Sequence, residues 1–271
     1  MSTVAHALSR FTLPRAELRS LLAHATGFKQ TTLVAHPEWI LDEQALSLFC
    51  ALAERRLTGE PMAYLLGVRE FYGRSFCVNP AVLIPRPETE HLIEAARSIF
   101  GKDSIDMVDL GCGSGAIAIT LALEAPHWRV CAVDLSLQAL NLARKNANTL
   151  NALIKPFLGS WFDPRPPDMA FDLIISNPPY IADNDPALAE GALSFEPRMA
   201  LAGGKDGLTC LRALAAAAPL RLRRGGWLMV EHGCTQGKAV RQSFRKNGLE
   251  HVESRCDLAG HERITLGRKA Y

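Results

Sequence analysis

The chain has 271 residues, between one and two domains at roughly 150 residues each. Apolar residues make up 48% and charged residues 21%, and 30 Lys+Arg against 28 Asp+Glu leave +2, which excludes charge-driven disorder and argues against a strongly basic nucleic-acid coat. The longest uncharged stretch in mid-chain, 110–123, is 14 residues with three glycines, short of the ~20 apolar residues of a membrane span.

Residues 1–66 read as a small helical bundle. Leu18, Leu21, Leu22 and Ala25 recur at helical spacing, and Gly27 stops the run. Ala45, Leu48, Phe49 and Leu52 repeat the pattern behind Asp42 and Glu43, acids placed where a helix N-terminus favours them. Residues 67–87 read as a β-hairpin linker: Phe71, Tyr72, Phe76, Val78, Val82 and Ile84 lie among Gly73, Asn79 and Pro80. From 88 to 271 strand and helix signals alternate. Buried strands are predicted at 107–110, 129–133, 171–175 and 227–231, and helices around 88–100, 115–124, 136–149, 206–220 and 236–247. The alternation implies an α/β domain with a doubly wound, Rossmann-like parallel sheet.

Two motifs carry chemistry. Asp109-Leu-Gly111-Cys112-Gly113-Ser114-Gly115 follows a strand and opens a helix, where glycines let the backbone turn sharply and approach a ligand. Asp134 ends the next strand, 19 residues after Gly115, where its carboxylate can accept hydrogen bonds from ribose hydroxyls. The pattern also fits a dinucleotide site. Asp109 tilts the choice: an acid before the loop repels a pyrophosphate and suits a cationic ligand such as S-adenosylmethionine. The second motif, Asn177-Pro178-Pro179-Tyr180, follows the strand at 171–175. Its prolines stiffen the turn and remove two N–H donors, so it presents acceptors, to which Asn177 adds a side-chain carbonyl. Such a turn can hold a planar –NH2 group, with Tyr180 against its flat face, and stabilise positive charge developing on the nitrogen during methylation.

With both motifs in place the chain resembles the HemK/PrmC family of protein-(glutamine-N5) methyltransferases that modify class 1 peptide chain release factors. The resemblance covers nearly the whole chain. It includes Arg56-Leu-Thr-Gly-Glu-Pro, Leu83-Ile-Pro-Arg-Pro-Glu-Thr-Glu, Phe195-Glu-Pro, Glu231-His-Gly and Asp257-Leu-Ala-Gly-His-Glu-Arg. It implies a class I methyltransferase sheet with an antiparallel last strand around 263–267, and an N-terminal bundle that recognises the protein substrate. It also implies S-adenosylmethionine held by Gly111 to Gly115, Asp134, Asn177 and Trp161, the last beside the adenine. Asn177 to Tyr180 would grip the glutamine of a Gly-Gly-Gln motif, with Asn177, Pro178 and Tyr180 as the catalytic set. The nearest rivals are a glutamine methyltransferase of a ribosomal protein and a nucleic-acid amino-group methyltransferase. Against the latter, residues 1–72 hold seven Lys/Arg and seven Asp/Glu, no footprint for a phosphate backbone. An NAD-linked oxidoreductase would leave Asn177 to Tyr180 without a role. One departure stands out: family members often carry an acid before the Trp161 position, and this chain has Ser160.

The seven cysteines are odd in number and form no C-x-x-C pair, and the eight histidines lack metal-ligand spacing. The N-terminus lacks the basic start and apolar core of a signal peptide. The expectation is therefore a cytoplasmic monomer with reduced thiols, no metal, no membrane contact and no stable nucleic-acid partner. Arg86, between two prolines, is either a surface charge or a brace beside the site. The seven Lys/Arg in 219–246 are either a solvated face or a patch for an acidic partner.

Overall fold

The computed structural model describes residues 2–163 and 170–271 and divides into two compact units, 1–68 and 69–271. In the first, five helices pack around one core: α1 (Val4–Ser9), α2 (Arg15–Thr26), α3 (Gln30–Ala35), α4 (Glu43–Leu57) and α5 (Met62–Leu66). Leu18, Leu21 and Leu22 of α2 and Phe49, Leu52 and Ala53 of α4 are buried in that core. Asp42 caps α4 by accepting from the Ala45 N–H at 2.7 Å, and Gly27 ends α2 in the left-handed conformation. Arg56 and Glu17 tie α4 to α2 by two hydrogen bonds of 2.7 and 3.0 Å.

A hairpin, β1 (Val68–Phe71) and β2 (Arg74–Cys77), turns at Tyr72 and Gly73. The chain then runs without regular structure to a 3-10 turn at Pro87–Thr89 and α6 (Glu90–Phe100). The sheet of the second unit follows: β3 (Asp106–Leu110), α7 (Ala116–Glu124), β4 (Arg129–Asp134), α8 (Leu137–Leu150), β5 (Lys155–Leu158) and β6 (Phe171–Ser176). It continues with α9 (Thr209–Arg221), β7 (Leu222–Glu231), α10 (Gly237–Lys246), β8 (Leu249–Cys256) and β9 (Glu262–Lys269). The strand order is β5-β4-β3-β6-β7-β9-β8, parallel except for β9, which runs antiparallel to both neighbours. The expected antiparallel last strand spans Glu262–Lys269; β5 and β8 were not anticipated.

Alternation along the strands builds two cores. Met107, Leu173, Ile175 and Met229 face α6, α7 and α8. Val108, Ile174, Leu228 and Val230 face α9 and α10. Connections leave β3 toward β4 on one side and arrive at β6 on the other, so the crevice lies beyond the carboxyl ends of β3 and β6. Ser176 fastens the two strand ends by donating to the Leu110 carbonyl at 2.6 Å.

Candidate active site

A cavity of about 330 Å³ opens at that crevice, within the range of small-molecule sites. Its wall includes Gly111, Cys112, Gly113, Ser114, Asp134, Trp161, Asn177 and Pro179, which the sequence places on four separate segments. Gly115, Pro178 and Tyr180 are not among the lining residues. Pro178 is buried, Gly115 is the N-cap of α7, and the Tyr180 hydroxyl donates to Glu231 Oε1 at 3.0 Å.

The loop after β3 is held by the end of β4. Gly111 and Cys112 both donate to the Val133 carbonyl, at 2.8 and 3.0 Å. The Gly113 N–H reaches Asp134 Oδ2 at 2.8 Å, and Ser136 N–H reaches Oδ1 at 2.8 Å. Each carboxylate oxygen thus takes one backbone donor and keeps capacity for another. Burial raises the Asp134 carboxyl above its ordinary value, although the backbone donors oppose that. Asn146, which sequence reasoning did not single out, anchors the loop from behind. It donates to the Ser114 and Cys77 carbonyls and accepts from Cys77 N–H, so a buried amide is satisfied at three points.

Asp109 requires a correction. Its carboxylate does not face the cavity. On the same sheet face as Met107, it accepts from the Ala118 N–H at 3.1 Å, capping the first turn of α7, while Oδ1 has no partner among the described residues. It is fully buried, and burial pushes its carboxyl up to about 7. The N-terminal turn of α7, where a dinucleotide phosphate binds in such folds, already carries an acid.

Across the cavity stands the turn after β6. Asn177 Nδ2 donates to Thr89 Oγ1 at 3.1 Å, which leaves Oδ1 as the free acceptor of the amide. The turn's backbone is closely covered: a Cβ on Gly203 would lie 2.6 Å from the Pro179 carbonyl oxygen. Trp161 lines the wall with φ of 44°, a left-handed conformation that a bulky residue enters only when its surroundings impose it. The opposite wall comes from 81–89 and from Pro197, Met199 and Ala200. Glu196, whose side chain is inaccessible, holds these two segments together. It accepts from the Ile84 N–H at 3.0 Å and pairs with Arg86, which is therefore a brace. Asp134 is the one carboxylate among the described lining residues, and no His, Lys or Glu joins it.

The geometry fits a nucleoside that carries no phosphate: a carboxylate with spare acceptor capacity, an adjacent indole, and apolar walls from Leu135, Ala116 and Ile117. Known proteins agree. A family profile described as "PrmC N-terminal domain" matches residues 3–67, and one described as "Methyltransferase small domain" matches 89–193. A release factor glutamine methyltransferase from Neisseria gonorrhoeae is 49% identical over 94% of this chain and 94% of its own length.

The chain belongs to the release factor glutamine methyltransferase family.

A second member, from Bordetella pertussis, is 47% identical over 94% of this chain and 95% of its own. The family's cofactor is S-adenosylmethionine, and its enzymes are methyltransferases of the class I fold seen here. That fold also appears in the T. thermophilus 16S rRNA N2 G1207 methyltransferase, solved with AdoMet and guanosine. The match has a TM-score of 0.56 and 17% identity over 74% of this chain and 49% of that one.

Among the described residues no helix is long and apolar enough to cross a membrane, and no cluster of His, Cys, Asp and Glu could hold a metal. The basic segment 219–246 is not a single open patch. Arg223 pairs with Asp106 and Asp172, and Arg241 pairs with Glu262.

Proposed function

We propose that this protein transfers a methyl group from S-adenosylmethionine to the side-chain amide nitrogen, N5, of the glutamine in the Gly-Gly-Gln motif of class 1 release factors. Relatives close to half identical along nearly the whole chain carry the release factor glutamine methyltransferase name. The observation that carries the reading within the site is Asn177, whose Nδ2 is engaged by Thr89 so that its acceptor is available to a substrate –NH2.

Gly111 to Ser114, Asp134 and Trp161 would hold the cofactor, with Asp134 toward the ribose and Trp161 beside the adenine, while Gly115 shapes the loop from the N-cap of α7. When bound, the cofactor supplies an electrophilic methyl group on a sulfonium. The chain's own residues must then overcome a weakly nucleophilic amide nitrogen, whose lone pair is delocalised. Among the described lining residues no base stands beyond Asp134, itself committed to two backbone donors, and that task falls to acceptors. Asn177 Oδ1 orients the nitrogen and stabilises positive charge developing on it, an effect typically worth about 10²–10³ in rate. The amide proton then leaves to solvent.

Pro178 and Tyr180 act from behind the wall, stiffening the turn and fixing its end. Ser160 stands on the wall beside Trp161, an acceptor without full charge. The N-terminal unit would contribute recognition of the release factor, and the protein would act as a cytoplasmic monomer without a nucleic-acid partner.

Asn177→Ala tests the reading. With methyl-labelled cofactor and release factor, transfer should fall at least about 100-fold while cofactor binding stays within a few-fold. Activity within a few-fold of the parent would overturn the amide grip.

A further inference from the structure

An asparagine amide has two orientations of nearly identical shape, and only one presents an acceptor to the cavity. The hydrogen bonds behind Asn177 select between them. Asn177 Nδ2 and Thr89 Oγ1 are 3.1 Å apart, and Thr89 Oγ1 in turn lies 2.6 Å from Glu231 Oε2. With Glu231 ionised, its carboxylate can only accept, so the single proton of Thr89 is committed to it. The lone pair that Thr89 turns toward Asn177 then accepts from an N–H. Reversing the amide would set two proton-free oxygens against each other and aim two donors at a substrate –NH2.

The carboxylate that fixes this polarity cannot turn away. Glu231 ends β7 and is 1% exposed, and its Oε1 receives the Tyr180 hydroxyl at 3.0 Å. Glu88 and Arg263 are the charged groups that act on it, with opposite signs. Thr89 is itself buried, lines the cavity, and sits in the Pro-Glu-Thr-Glu segment before α6, 88 positions from Asn177.

We propose that Thr89 and Glu231 are positioning residues for methyl transfer: Glu231 sets the direction of the Thr89 hydroxyl, and that hydroxyl turns the Asn177 amide so that Oδ1 meets the substrate nitrogen. The proposal rests on the reading that Asn177 grips the substrate amide. It also assigns Thr89, at the end of the 3-10 turn before α6, a defined duty and makes β7 a contributor to substrate orientation. The Tyr180 hydroxyl holds the second carboxylate oxygen.

The test compares variants of the full-length protein at pH 8, above the value of about 7 to which burial raises the Glu231 carboxyl. Thr89→Val keeps the shape and removes the hydroxyl. Its kcat for release-factor methylation should fall by about 10- to 100-fold, the scale of a misoriented reacting group, with the S-adenosylmethionine Kd within about threefold of the parent. Thr89→Ser should recover most of the loss. Glu231→Met replaces the buried carboxylate with an apolar side chain of similar length and frees the Thr89 proton. It should lower kcat in the same way, which covers the case in which Thr89→Val does not fold. Parent-like kcat in either variant would overturn the proposal. So would a Thr89→Ser variant no better than Thr89→Val, or a loss that appears equally in cofactor affinity. Asn177→Ala run alongside separates the two readings. If Asn177→Ala is inactive while Thr89→Val and Glu231→Met are unaffected, only the positioning proposal fails; if Asn177→Ala is active, the amide grip itself fails.

Discussion

Two glycines two positions apart in the loop after β3 should fail in opposite ways when given a methyl group. Both are left-handed, Gly113 at φ 54° and Gly115 at φ 83°. That conformation costs an L-residue roughly 1–2 kcal/mol. At Gly113 a Cβ would find nothing within 4 Å among the described residues, so Gly113→Ala should lose only that backbone term, about 1 kcal/mol. At Gly115 a Cβ would lie 2.7 Å from Ile119 Cδ1 and 3.2 Å from Ala143 Cβ. The isoleucine tip can move, but it sits between α7 and α8 in a close-packed core, and overpacking adds about 1–3 kcal/mol. Gly115→Ala should therefore cost about 3 kcal/mol in all. At roughly 2–4 °C per kcal/mol for a unit of this size, Tm should drop about 6–12 °C for Gly115→Ala and about 2–4 °C for Gly113→Ala. Ligand binding should rank the other way, because Gly113 lines the cavity and donates to Asp134 whereas Gly115 does neither. Thermal unfolding without cofactor, paired with calorimetric titration of S-adenosylmethionine, reads both. Equal drops in Tm, or a larger drop for Gly113→Ala, would refute the assignment of packing to one glycine and access to the other.

Further consequences follow from the buried charges and thiols. Burial raises the Asp109 carboxyl from 3.8 to about 7, so the folded state keeps a proton that the unfolded chain gives up, and this group's contribution to stability declines as pH rises from about 4 to 7. Asp109→Asn should remove that decline: its stability relative to the parent should improve by about 2 kcal/mol between pH 5.5 and pH 8, as read from Tm at the two pH values. A relative stability independent of pH would contradict the buried, half-partnered carboxyl. Arg86→Leu strips Glu196 of its cation and leaves a buried carboxylate on one backbone N–H. It should cost about 3–5 kcal/mol in denaturant unfolding, and the double change with Glu196→Leu should recover part of it, since the Ile84 N–H then loses its acceptor. Burial holds the Cys112 thiol well above its ordinary value. Iodoacetamide at pH 8 should therefore label exposed Cys234 and Cys256 before Cys112, which peptide mass mapping would check.

The parts of the fold that were legible in the sequence are those whose signal is local. The strands containing Val108, Val133, Ile174 and Val230 are apolar on both faces because both are covered. The loop glycines and the Asn177 to Tyr180 turn announce themselves through backbone chemistry. The strands that escaped notice lack such a signal. β5 is four residues at the sheet edge and contains Pro156, and β8 is mostly polar, interrupted between Glu250 and Glu253 with His251 at φ 49°. Pairing with β4 and β9, rather than composition, makes them strands. Side-chain direction was the other limit. Asp109 reads as a ligand acid because it precedes the loop, yet alternation along β3 turns it toward α7. The links from Thr89 to Asn177 and Glu231 span 88 and 142 positions, and no spacing rule could have joined them. The Thr89 and Glu231 segments are separate stretches of the family pattern, and only the fold brings them together.

The central claim is tested most directly by locating the transferred methyl group. The full-length protein is incubated with methyl-labelled S-adenosylmethionine and, in parallel, with a class 1 release factor, total ribosomal proteins and duplex DNA, and the label is mapped by peptide mass. The account predicts a single methyl on the glutamine side chain of the Gly-Gly-Gln motif, and none on ribosomal proteins or DNA. A release factor that returns unlabelled at that glutamine, or label confined to a ribosomal protein or a base, would contradict it.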